Sequence, residues 1–151
     1  MSEEFKYIVR LAGVDLPGEK SLVYGLSLIK GVGINLAYII CRKLGLDPHR
    51  RVGSLSEAEI KKLDTILKEI HKLGLPAWLL NRRKDPFTGE KHHLITSDLV
   101  FAVRSDIEFM KSIRCWKGIR HMFGLKVRGQ RTRTTGRTGI TVGVSRRKGG
   151  R

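Results

Sequence analysis

Apolar positions recur along the chain with a changing period, and the changes mark its elements. Residues 5–16 alternate in part, with Tyr7, Val9 and Leu11 set against Ile8, Arg10 and Ala12. That pattern predicts a short extended arm ending at the Pro17-Gly18 turn. Leu22, Val23, Leu26 and Ile29 then fall at helical spacing, and Gly31-Val32-Gly33 breaks the run. A second helix follows, with Leu36, Ala37, Ile40, Cys41 and Leu44 on one side and Gly45 as its stop. Ser56-Glu57-Ala58-Glu59 reads as a capping box, flanked by Leu55 and Ile60 as a hydrophobic staple. Ile60, Leu63, Leu67 and Ile70 form the stripe of that helix, which Gly74-Leu75-Pro76 ends.

The pattern changes over residues 77–97. Trp78 to Arg83 and His92 to Ile95 flank Asp85-Pro86-Phe87-Thr88-Gly89, which predicts a small β-hairpin insertion. A long helix is expected over 98–117, with Leu99, Val103, Ile107, Met110 and Ile113 as its buried face and Gly118 and Gly124 bracketing its end. Beyond Leu125 apolar residues thin to Val127, Ile140, Val142 and Val144, too few for a core. The predicted class is therefore mainly α, divided into an N-terminal helical domain (1–76), the insertion (77–97), the long helix (98–117) and an extended basic tail (118–151).

Charge changes the picture most. The last acidic residue is Glu108, and thirteen of the thirty Lys and Arg lie after it. The formal net charge is +16, of which only +3 belongs to residues 1–108. A segment so one-signed repels itself and finds order on a polyanion, of which nucleic acid is the commonest. Its candidate contacts are Arg114, Lys117, Arg120, His121, Lys126, Arg128, Gln130, Arg131, Thr132, Arg133, Thr134, Arg137, Arg146, Arg147 and Lys148. Arg forks match phosphate oxygens, and Thr hydroxyls add hydrogen bonds.

A second candidate is the helix–Gly-Val-Gly–helix turn, with Lys30, Gly31 and Gly33. Exposed backbone N–H groups at such a turn, together with a helix N-terminus, suit a phosphate; a plain interhelical turn is the rival reading. Trp78 and Trp116 are expected to plug hydrophobic seams, with base stacking as the alternative role.

Other chemistry finds little support. The five histidines and two cysteines show no metal-ligand spacing, and no cofactor is implied. Walker, GxSxG and HExxH motifs are missing, so no enzyme is expected. No signal peptide is read at the start, the longest apolar-rich stretch, Leu22–Ile29, is far too short for a bilayer, and no membrane partner is expected.

Three stretches resemble one family: IVRLAGVDLPGEKSLVYGLSLIKGVG (8–33), the segment out to SLSEAEI (54–60), and GIRHMFGLKVRGQRTRTTGRTG (118–139). The chain is similar to the small-subunit ribosomal protein thirteen family, called eighteen-e in eukaryotic ribosomes. PAWLLNRRKDPFTGEKHHL and the ending TVGVSRRKGGR look like the archaeal and eukaryotic branch, with an archaeal lean. The resemblance implies a helix-two-turn-helix-like N-terminal domain and a cytoplasmic site in the head of the small subunit. It also implies binding to small-subunit rRNA, with small-subunit protein nineteen as a neighbour. Bridges to large-subunit rRNA and large-subunit protein five follow from it as well, as does a C-terminal tail near P-site tRNA. The alternatives from other classes are a DNA-binding architectural protein using a helix-hairpin-helix and a basic tail, and a DNA-repair enzyme of similar fold.

Overall fold

The computed structural model describes residues 5–135. It is mainly helical. The order is β1 (Ile8–Leu11), β2 (Val14–Pro17), α1 (Leu22–Ser27), α2 (Ile34–Leu44), α3 (Glu57–Lys68), α4 (Thr96–Ser112) and α5 (Trp116–Met122), with short 3₁₀ turns at Val52–Ser54, Ile70–Leu73 and Ala77–Leu79. The chain divides into two compact units between Val103 and Arg104.

The first unit holds the hydrophobic core. The stretch expected to be a simple arm is instead a two-stranded antiparallel hairpin, with Leu11 paired to Val14 and Ile8 to Pro17. Its two-residue turn sets both Ala12 (φ 48) and Gly13 (φ 77) in the left-handed region. Asp64 steadies the turn by accepting the Ala12 N–H at 3.0 Å. Strand alternation turns Val9 and Leu11 inward and Ile8 and Arg10 outward. Leu22, Leu26 and Ile29 bury the face of α1 and the turn after it, where they join Leu36, Ala37, Ile40 and Cys41 of α2. Leu63 and Leu67 of α3 and Ile70 close the cluster. Burial pushes the Cys41 thiol up to about 11, so it serves as a small apolar filler.

The capping box forms as expected. Ser56 Oγ accepts the Glu59 N–H, and Glu59 accepts the Ser56 N–H at 2.8 Å. The Ser56 N–H holds the Glu59 carboxyl below its usual range, and Arg50 adds to this at 3.0 Å. The helix ends at Lys68, before the Gly74 stop, and a 3₁₀ turn fills the gap.

Between α3 and α4 the insertion doubles back, but its pairing shrinks to a single antiparallel bridge, Arg82 with His92. Side chains do the rest. Asp85 accepts N–H groups from Phe87 and Thr88 and the Arg82 guanidinium at 2.7 Å. Those bonds, the Phe87 N–H foremost, hold its carboxyl down at about 2. Asn81 clamps Leu94 through both its backbone groups.

The long helix departs from expectation at both its face and its end. No residue of α4 is buried: Val103 and Ile113 of the expected inner face are exposed, and Leu99, Ile107 and Met110 are half-buried. The helix stops at Ser112 rather than 117. Arg114 takes a left-handed conformation (φ 56) that redirects the chain. Cys115 then caps α5, its Sγ accepting the Gly118 N–H and donating to the Met110 carbonyl. Gly118 is required there, because a Cβ would stand 2.0 Å from that carbonyl oxygen. Sequence reasoning placed Gly118 just past a helix; it lies inside the next one.

Candidate nucleic-acid interface

In the first unit the candidate contacts surround the turn between α1 and α2. Lys30 and Gly33 are exposed. Gly33 is the N-cap of α2, with extended backbone and no side chain capping the helix. The first N–H groups of α2 are thus left to an outside acceptor, at the positive end of an eleven-residue helix.

Gly31 plays a different part from the one expected. It has φ +99, and a Cβ there would meet Leu94 O at 2.6 Å and Ile95 Cα at 3.1 Å. Its bareness serves the close approach of the insertion's end rather than that of a phosphate. The insertion is fastened at this point. Thr96 N–H donates to Lys30 O at 2.8 Å. His93 Nε2 lies 2.9 Å from Gly31 O and must donate to it, while Nδ1 faces the Asn81 N–H at 3.4 Å. That arrangement requires a neutral ring, and burial holds the His93 pKa below its ordinary value against the opposing pull of the Gly31 carbonyl.

The second unit gathers the other candidates. Arg114 and Lys117 are exposed, and Arg120 and His121 are half-buried on α5. The Arg120 guanidinium lies 5.8 Å from the centre of the Trp116 ring, a cation–π pair. Its Nε also donates to Lys126 O at 2.9 Å, drawing the start of the tail back onto α5. From Lys126 to Thr134 the chain has no helix or strand, and Lys126, Arg128, Gln130, Arg131, Thr132, Arg133 and Thr134 are all exposed. Arg137, Arg146, Arg147 and Lys148 lie outside the described residues. Each unit therefore presents cations, and from Arg104 onward only Asp106 and Glu108 oppose them.

Both tryptophans depart from the seam-filling expectation. Trp78 is 66% exposed and Trp116 is 72% exposed. Beyond base stacking as the alternative role of Trp78, sequence reasoning assigned no contact in the insertion, where Arg83, Lys84 and Lys91 are exposed as well. The cluster of basic residues from Arg82 to Lys84 beside Trp78 was the available signal. Among the described residues no group of three His, Cys, Asp or Glu side chains could hold a metal ion, and no helix is long and apolar enough to cross a membrane.

The family model for ribosomal protein S13/S18 matches residues 10–138. The small ribosomal subunit protein uS13 of Thermofilum pendens is 68% identical over 148 residues, covering 98% of this chain and 94% of the relative. The protein of the same name from Saccharolobus solfataricus is 56% identical, covering 98% and 90%. That of Aeropyrum pernix is 58% identical, covering 95% and 96%. These three relatives are archaeal.

Proposed function

The chain belongs to the ribosomal protein S13/S18 family, and from that premise we propose that it is a non-catalytic structural constituent of the small ribosomal subunit that binds small-subunit rRNA. One observation weighs most in its favour: the acid-free run after Glu108, most of which lies inside the matched region, exposes Arg114, Lys117, Lys126 and every described residue from Arg128 onward. Exposed Arg and Lys without neighbouring carboxylates release counterions on meeting phosphates, and that release drives association. Arg128, Arg131 and Arg133, with Gln130, Thr132 and Thr134 between them, track the phosphate backbone. Arg114, Lys117, Arg120 and His121 approach it from around α5.

The uncapped start of α2, with Lys30 and Gly33, supplies a second phosphate contact that reads no base. The remaining role of the first unit is docking, in the head of the subunit. Small-subunit protein nineteen is its neighbour there. Large-subunit protein five and large-subunit rRNA meet it across the subunit interface, and the C-terminal end reaches P-site tRNA. These finer assignments rest on the motif resemblance.

Crosslinking within purified ribosomes tests the reading. Adducts from residues 114–134 are expected on small-subunit rRNA of the head. In a companion titration the purified chain should prefer folded small-subunit rRNA over duplex DNA of equal length as salt rises. Equal binding to both would favour an architectural DNA-binding protein instead.

A further inference from the structure

The insertion between α3 and α4 holds two exposed aromatics, Trp78 and Phe87, and exposed cations outside the basic tail. Trp78 is 66% exposed. Its backbone carbonyl accepts a hydrogen bond from Arg83 Nη2 at 3.2 Å, which ties the guanidinium to the Trp78 backbone. Of the insertion's two carboxylates, Asp85 is paired with Arg82 at 2.7 Å, while the exposed Glu90 lies 3.2 Å from the His92 ring. Arg83, Lys84 and Lys91 remain as exposed cations.

We propose that Trp78 and Arg83 form a stacking site for an unpaired nucleotide of structured RNA, the indole taking the base and the guanidinium, with Lys84 and Lys91, the flanking phosphates. The proposal rests on the ribosomal reading above and extends it to an element that reading left without a role.

Three observations favour RNA over a protein partner. A protein interface has a contiguous apolar centre, but the insertion exposes only the two aromatics Trp78 and Phe87 among its large apolar side chains, and Leu80 is only 7% exposed and turns inward. Exposed aromatics in a segment with three exposed cations are the composition of a single-strand stacking platform. Three exposed cations stand there against one exposed carboxylate, Glu90, so the surface calls for an anion. The platform is also preorganised. The Arg82–His92 bridge, the Asp85 turn, the Asn81 clamp and the His93–Gly31 bond all fix the insertion before any partner arrives. Little ordering entropy is then lost on binding.

The test uses the full chain and small-subunit rRNA, with base-reactivity footprinting. Trp78→Ala should weaken binding between about 5- and 150-fold. It should expose one or a few nucleotides that the parent protects, while protections due to the tail persist. Trp78→Phe should restore most of the affinity, because a ring still stacks. Arg83→Gln should make the salt slope less negative by about 1. Because Trp78 is exposed, thermal melting of the variants should match the parent.

Parent-like affinity and footprints in both Trp78→Ala and Arg83→Gln would overturn the site. So would a photo-reactive side chain at position 78 that captured a ribosomal protein in place of RNA. If the parent itself showed no preference for small-subunit rRNA over duplex DNA, the ribosomal reading would fall instead, a result distinct from either of these.

Discussion

Gly31 illustrates how one residue's neighbours decide its meaning. A glycine pair around a valine reads as a phosphate-gripping turn, but the two glycines differ: Gly33 is open, whereas Gly31 is closed in by its neighbours. Nothing local shows that Leu94 and Ile95, more than sixty positions downstream, lie against Gly31. Gly31→Ala combines a left-handed φ with a backbone clash and should cost about 2–4 kcal/mol in urea denaturation. Gly33→Ala, at φ −94 with nothing within 4 Å, should cost less than about 1 kcal/mol.

His93 fastens the same junction only when neutral. Its folded pKa is depressed below the ordinary 6.5, so the unfolded chain takes up the proton first. The stabilisation is therefore complete above about 6.5 and is lost as pH falls through the folded value. Lys68 and Asp98 line the cleft beside it. The carboxylates with depressed pKa, Glu59, Asp64 and Asp85, start from ordinary values of 4.5 or lower and lose their contribution only in more acid solution. Melting temperature should decline between pH 7 and pH 5 in the parent, and His93→Gln should flatten that decline. An unchanged slope in the variant would remove His93 as its source.

At the scale of elements, legibility followed how local the cause was. The start of α3 was plain in the sequence because Ser56 and Glu59 satisfy each other's backbone within four residues. Ser56→Ala should accordingly lower stability by about 1 kcal/mol, read from the denaturation midpoint. The β1–β2 hairpin was missed because Ala12 occupies a turn position where Asn or Asp is the usual signal. Its support comes from Asp64, on a different element. The break between α4 and α5 was hidden for a related reason. An arginine adopts the left-handed conformation and a cysteine serves as the cap, and neither residue type announces that role. The helical period itself continues through the break, so spacing alone ran the helix on to 117.

Across the whole molecule the charge distribution was the most legible property and is the most consequential. If the tail meets eight phosphates, log K should fall with log salt at a slope of about −6 to −7. Replacing Arg128, Arg131 and Arg133 by Gln should reduce its magnitude by about 2–3, measured by filter binding across a salt series. Burial was less legible. Apolar spacing gave α4 an inner face, yet periodicity reports only that a face exists and not what covers it. Phe101, Ile113, Trp116 and Phe123 all stand in solvent in the free chain. An orphan copy, greasy and cationic at once, is the kind of species that chaperones and proteases intercept. Its lifetime in the cell should thus be set by how soon an assembling particle takes it in, so that surplus synthesis ends in turnover instead of accumulation.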